Sequence, residues 1–198
     1  ASGAVSKITE HKDASPDELK ITEINAGLYL VDAAFLWDSL SRLDSNNAQH
    51  ELYLTDLIAL AYRRGTPAAS VTADFEEVGG VNDRAELSRA AGTLQRRINL
   101  RHQKNGVAMD RPETILIDES VQIEQDVCLE AGTRLKGSTV IRSGAVIGQG
   151  SVISNSLIGS GSEILPYSIL DDAVVGEGSK IGPFARLRPG TILESNVH

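Results

Sequence analysis

From residue 117 onward an aliphatic side chain returns every six positions, at Ile117, Ile123, Leu129, Leu135, Ile141, Ile147 and Ile153. Four residues after most of them stands a small or β-branched residue: Val121, Val127, Thr133, Thr139, Ala145, Ser151. A five-residue unit, Ile153 to Leu157, shifts the frame. The series resumes at Ile158, Ile164 and Leu170, takes a second short unit and continues at Val175, Ile181, Leu187 and Leu193. A period of six fits neither the 3.6 of a helix nor the 2.0 of an amphipathic strand. It fits short flat strands joined by tight corners, each aliphatic pointing into a shared interior, with coils that stack and bury one another's apolar edges. Three units to a coil predict four to five coils over residues 117–198. Gly148, Gly159, Gly176 and Gly182 follow the aliphatic position, and Gly132, Gly144, Gly150, Gly161, Gly178 and Gly190 fall near the opposite corner, where glycine reaches backbone angles closed to other residues. A β-sandwich would show turns spaced near ten residues and irregular lengths.

The first part of the chain lacks this repeat. Val5 to Glu10 alternates like a strand, Leu28 to Val31 is a short apolar run after Asn25-Ala26-Gly27, and Ala68 to Val71 reads as a third strand. Asp32 is placed to cap a helix over about Ala33 to Leu43, with Phe35, Leu36, Trp37, Leu40 and Leu43 on its buried side. Thr55 or a neighbour opens a second helix ending at Arg64-Gly65. From Asp83 to about Lys104 a long helix sets Leu87, Ala91, Leu94 and Ile98 in one stripe. Strands alternating with helices predict an α/β domain. Three strands with helices would leave much apolar surface uncovered, so these residues read as the second half of a larger domain. The start at Ala1 without Met, and the end in mid-repeat at Asn196-Val197-His198, lead to the expectation that the natural protein is longer.

Composition narrows the class. With 41% hydrophobic and 23% charged residues the 198-residue chain is an ordinary globular one, not a disordered one. No run of 18 apolar residues suits a membrane helix, and Ala1 to Glu10 lacks the layout of a secretory signal. A net charge of −8 argues against nucleic acid and acidic membranes as partners. The single Cys128 excludes a disulfide framework and fits a reducing, cytoplasmic setting. Arg84, Arg89, Arg96, Arg97, Arg101 and Lys104 on the long helix read as a solvated face rather than an anion-binding stripe.

Five strings in order carry a resemblance: Ile8-Thr9-Glu10-His11-Lys12-Asp13, Glu23-Ile24-Asn25-Ala26-Gly27, Asn46-Asn47-Ala48-Gln49-His50-Glu51-Leu52-Tyr53-Leu54-Thr55-Asp56, Gly80-Val81-Asn82-Asp83-Arg84, and Ile181-Gly182-Pro183-Phe184-Ala185-Arg186-Leu187-Arg188-Pro189-Gly190. Together they resemble the bifunctional bacterial N-acetylglucosamine-1-phosphate uridyltransferase/glucosamine-1-phosphate acetyltransferase family over essentially all 198 residues. The resemblance implies an α/β plus β-solenoid chain. Residues 1–82 would be a partial Rossmann-like nucleotidyltransferase domain, 83–105 a linker helix, and 106–198 a left-handed parallel β-helix of hexapeptide repeats. The left hand comes from the resemblance alone and runs against the usual crossover rule.

The family's two reactions lead to UDP-N-acetylglucosamine, a precursor of peptidoglycan and lipopolysaccharide. The β-helix acetylates glucosamine-1-phosphate with acetyl-CoA, and the α/β domain then joins N-acetylglucosamine-1-phosphate to UTP with release of pyrophosphate, aided by Mg²⁺. By position, Asn82 matches a Mg²⁺ ligand that also touches the nucleotide-sugar. Glu10 and Asn25 match contacts to the sugar, and Arg188 matches a contact to the sugar-phosphate of the acetyltransferase site. Such β-helices associate as trimers. The family's Gly-rich nucleotide loop, the aspartate that shares the Mg²⁺, the catalytic histidine and the acetyl-CoA surface have no counterpart here, so the chain as written is expected to catalyse neither reaction. A one-reaction nucleotidyltransferase with a β-helix and a non-catalytic trimeric scaffold are the competing readings.

Overall fold

The computed structural model describes residues 4–198, in two compact units, one reaching Gly80 and the other running from Val81 to His198. Ala1, on which part of the expectation of a longer protein rests, lies outside the described residues.

The second unit opens with helix α4 among four, the first three (α1 Ala33–Leu40, α2 Asp56–Arg63, α3 Phe75–Val78) lying in the first unit and α4 spanning Arg84–Lys104. After α4, fifteen strands of two or three residues form three parallel sheets of five strands each. Strands three apart in sequence pair with one another, so the chain visits each sheet once per coil. The register records the repeat directly. Cys128 pairs with Val146, a step of eighteen, whereas Val146 pairs with Glu163, a step of seventeen because one five-residue unit lies between them. The aliphatic positions point inward as the period requires, with Leu129, Leu135, Ile141, Ile147, Ile153, Ile158 and Leu170 fully buried. Between them the corner residues Thr133, Thr139, Ser151, Ser162 and Ser168 are also buried, and their hydroxyls donate to carbonyls, as Ser162 Oγ does to Gly176 O at 2.8 Å. A hydroxyl therefore serves as well as a methyl at these corners.

Two kinds of glycine are distinguished here. Gly144, at a corner, has φ +71°, where a side chain would be strained. Gly159 has no such angle. A Cβ there would lie 2.6 Å from Glu177 N on the next coil, so the constraint is close approach of backbones.

Helix α4 packs on the first coil, and its buried face differs from the one expected. Leu87 and Leu94 are exposed, and the buried residues are Ile98, Asn99 and His102. Ile98 joins Val107, Ile115 and Ile117 in the core cluster. Asn99 Nδ2 donates to Pro112 O at 2.7 Å and Ile115 O at 3.0 Å, and Gln95 Nε2 donates to Ile117 O at 3.2 Å. The first coil presents carbonyls with no preceding strand to bond them. The helix face that covers them must carry donors as well as methyls, and an apolar stripe could not do this.

The first unit departs further from expectation. None of the runs Val5 to Glu10, Leu28 to Val31 and Ala68 to Val71 forms a strand, and a single antiparallel bridge joins Val5 to Ala68. A Rossmann-like sheet is not formed by the described residues. The physical reason is pairing: a strand exists only where a neighbour receives its backbone groups, and Leu28 and Leu30 are 78% and 104% exposed. Helix α1 is capped as read, Asp32 Oδ1 accepting from Phe35 N at 2.9 Å, but it ends at Leu40 and leaves Trp37 72% exposed. Helix α2 matches its reading and buries Leu57 and Ala61.

Candidate functional site

In the first unit two of the quoted strings, far apart in sequence, are bonded to each other. Thr55 Oγ1 donates to Glu10 Oε1 at 3.1 Å, Ala48 N to Asp13 Oδ1 at 2.8 Å, Tyr53 OH to Asp13 Oδ2 at 3.2 Å, and Lys12 Nζ to Gln49 Oε1 at 2.6 Å. Gln49 Nε2 completes the network by donating to Tyr53 OH at 2.9 Å. Glu10 is thus half-buried and held by the residue that precedes α2, rather than a freely solvated strand end. Its surroundings are acidic. Desolvation pushes the Asp56 carboxyl up, and the charges of Asp44, Asp13 and Glu10 add to this against the opposing Arg63. Desolvation likewise pushes the Tyr53 phenol up, reinforced by its bond to Asp13. Asp13, Tyr53 and Thr55 were not singled out as site residues by the sequence reading. The signal available was their membership of the quoted strings, but only folding showed that they surround Glu10.

Asn25 stands at an exposed turn, its Oδ1 accepting from Gly27 N at 3.1 Å and its Nδ2 donating to Tyr29 OH at 2.7 Å. The chain from Gly27 to Val31, with Leu36, Leu54 and Leu57, borders an open apolar hollow of about 550 Å³.

Asn82 belongs to the second unit, at the start of α4. Its backbone N donates to Glu86 Oε2 at 2.7 Å while Glu86 N donates to Asp83 Oδ1 at 2.7 Å, a reciprocal cap. The bond from Asn82 N foremost, helped by hydrogen bonds from the Asn82 side chain and the Asp83 backbone and opposed by desolvation, holds the Glu86 carboxyl below its ordinary range. Asn82 offers Mg²⁺ one neutral oxygen. Among the described residues no three His, Cys, Asp or Glu side chains gather into a metal-holding group. The residues present do not build a Mg²⁺ site by themselves, and no chemical step is assigned through the ion.

Arg188 follows the strand Arg186–Leu187 of the solenoid, which pairs in parallel with Ile169–Asp171. Leu187 packs against the core, so the flanking Arg186 and Arg188 project outward and are exposed. The turn after them is closed by Thr191, whose N and Oγ1 donate to Arg188 O at 3.0 and 2.7 Å. The preceding corner is pinned where Ala185 N donates to Ser168 Oγ at 3.3 Å, and the Phe184 ring stacks on Tyr167 with centroids 5.7 Å apart. The arginines therefore extend from a fixed frame. The structure brings Glu10 together with the string 46–56, while Asn25, Asn82 and Arg188 each stand in a separate local setting.

Residues 112–198 match the family model described as the GMPPB C-terminal domain. Among curated proteins, the chain is 42% identical over 196 residues to the bifunctional protein GlmU of Pelobacter propionicus, covering 98% of this chain and 43% of that protein. It is 49% identical over 197 residues to GlmU of Lactococcus lactis subsp. cremoris, covering 99% and 43% respectively. With GlmU of an Anaeromyxobacter species it shares 42% over 196 residues, 99% of this chain and 40% of that one. The chain thus spans less than half the length of these relatives.

Proposed function

We propose, from its similarity over 98–99% of its residues to the bifunctional GlmU proteins, that the chain carries parts of the two substrate sites of a UDP-N-acetylglucosamine-forming enzyme. The observation that carries this reading is the identity of 42–49%, which extends over nearly all residues of both units. The whole enzyme would transfer the acetyl group of acetyl-CoA to the amine of glucosamine-1-phosphate, then transfer UMP from UTP to N-acetylglucosamine-1-phosphate and release pyrophosphate.

In this reading residues 1–82 belong to the nucleotidyltransferase part, 83–105 to the linker and 106–198 to the acetyltransferase part, wound left-handed. The carboxylate of Glu10, fixed by Thr55, accepts hydrogen bonds from sugar hydroxyls, and the exposed amide of Asn25 makes a second contact to the sugar. Asn82 offers its neutral amide oxygen to the nucleotide-sugar. Arg188 holds the phosphate of the aminosugar by charge-assisted hydrogen bonds. The outward row Val140, Leu157, Val174 and Ile192, aligned by register on one flat face, supports trimerisation. We place the enzyme in the cytoplasm. No helix among the described residues is long and apolar enough to cross a membrane.

The sequence holds no Gly-rich nucleotide loop, and the histidine of the repeat region, His198, sits too early in the pattern to be the catalytic base, so sugar phosphates should bind without turnover. The test incubates the 198-residue chain with UTP and N-acetylglucosamine-1-phosphate, or with acetyl-CoA and glucosamine-1-phosphate, and follows both binding and product. Binding of glucosamine-1-phosphate that is lost in Arg188→Ala supports the proposal. Absence of binding by the parent chain overturns the assignment of Arg188, and pyrophosphate release overturns the expected inactivity.

A further inference from the structure

The bonds around Glu10 form two rungs between the same two segments. Thr55 Oγ1 donates to Glu10 Oε1 at 3.1 Å and Tyr53 OH to Asp13 Oδ2 at 3.2 Å. Both segments are stiff. Glu10 and Asp13 bracket a single 3₁₀ turn, closed where Asp13 N donates to Glu10 O at 3.0 Å. Tyr53 and Thr55 lie in the turn that leads into α2, where Asp56 N donates to Tyr53 O at 3.2 Å and Ile58 N to Thr55 O at 3.1 Å. Thr55 itself is buried.

The other oxygen of Asp13 is engaged as well, Oδ1 accepting from Ala48 N at 2.8 Å. One carboxylate thus holds both the start and the end of segment 48–53. Inside that segment Asn47 Oδ1 accepts from Gln49 N and Glu51 N at 3.1 and 3.2 Å. Gln49 Nε2 donates to Tyr53 OH, which leaves the phenol proton free to point at Asp13. A glutamate side chain is among those that lose most rotamer freedom when fixed. Thr55 occupies one lone pair of Oε1, so Oε2 and the remaining lone pairs stay open to a ligand in an orientation set before the ligand arrives. That orientation lasts only while Thr55 keeps its place, and Asp13 ties its segment down. We propose that Asp13 is a positioning residue for sugar binding: by clamping Ala48 and Tyr53 it sets Thr55 against Glu10 and aims the Glu10 carboxylate at the sugar hydroxyl. This rests on the reading of Glu10 given above.

The test uses the 198-residue chain and its variants Glu10→Ala, Asp13→Ala, Asp13→Asn, Tyr53→Phe and Asp17→Ala. Each is titrated with N-acetylglucosamine-1-phosphate and with its singly deoxygenated analogues, read by amide chemical shifts. In the parent, removing the hydroxyl that Glu10 accepts is expected to weaken binding about tenfold. Glu10→Ala should abolish that ratio. Asp13→Ala and Tyr53→Phe should bring it close to one while binding the deoxy analogue as the parent does. Asp13→Asn keeps an acceptor for Ala48 N and should retain part of the ratio. Asp17→Ala, which removes one side of an exposed pair with Lys20, should match the parent throughout. Tyr53→Phe leaves Ala48 N bonded to Asp13 and keeps the test decisive should Asp13→Ala unfold the first unit. A merely structural role would weaken every ligand equally and preserve the ratio, and that outcome overturns the proposal. If Glu10→Ala abolishes the ratio while Asp13→Ala and Tyr53→Phe keep it, the role of Asp13 is overturned and the reading of Glu10 stands. If the parent shows no such ratio, or no saturable binding, both fall.

Discussion

The two units of this chain solve the problem of burial in opposite ways. In the solenoid a short rung repeats, each inward aliphatic meets its counterpart one coil away, and Leu129, Leu135, Ile141, Ile147 and Ile153 reach full burial with side chains of modest size. In the first unit the described residues include larger apolar groups, yet the buried ones are few, Leu57 and Ala61 with Ser39 and Thr55, while Leu28, Leu30, Trp37 and Val71 face outward. Apolar content alone does not make a core. What differs is whether a partner for each apolar residue recurs at a fixed short distance along the chain. Hydrogen bonding follows the same division: the solenoid's backbone is laddered throughout, and the first unit relies on turns, caps and the network between residues 10–13 and 46–56.

The comparison is broken most severely by a core truncation. Leu135→Ala should cost about 3 kcal/mol of solenoid stability, whereas Leu30→Ala, at a fully exposed position, should cost about zero. Hydrogen exchange on amides of each unit is the measurement, and equal effects would sink the contrast. Next in size, Asn99→Ala strips the donor from Pro112 O and Ile115 O and should destabilise the α4 junction by about 2 kcal/mol, seen as faster exchange at residues 107–117. Asp32→Ala removes the cap of α1 and should cost about 1 kcal/mol, confined to the amides of that helix.

The gentlest expected effect is one of pH. Burial, with the charge of Arg101, lowers the His102 imidazole from its ordinary 6.5, and its Nε2 has no hydrogen-bond partner. The folded state therefore takes up a proton less readily than the unfolded one. Stability contributed by neutral His102 is present above pH 6.5 and declines as pH falls from there toward the lowered folded value. Opening of the α4 junction measured between pH 7.5 and 5.5 should rise on acidification in the parent and respond less in His102→Phe. An unchanged slope in the variant would remove His102 as the cause.

Much of the solenoid was legible because its evidence is local and repeated. Even the two five-residue units, visible as slips in the spacing, reappear as the change in register from eighteen to seventeen. Helix α1 was legible from its cap at Asp32, and α2 and α4 from the starts read near Thr55 and at Asp83, although Thr55 makes no side-chain cap bond while Asp83 does. The face of α4 was not, because Leu87 and Leu94 suggested an apolar stripe while the first coil required donors from Gln95 and Asn99. The strings around Glu10 and Arg188 could be quoted from sequence, but the bonds to Glu10 span 45 residues and no spacing rule reaches that far.

The amino-acid order by itself determined the rungs, the corners and the inward row from Ile117 to Leu193, since every neighbour relation there follows from a step of six or five residues. The tertiary structure alone decided which side of α4 closes the first coil and which extended segments go without a strand partner. Those outcomes depend on groups distant in sequence competing for the same donors, acceptors and charges, and a one-dimensional pattern does not encode the result of that competition.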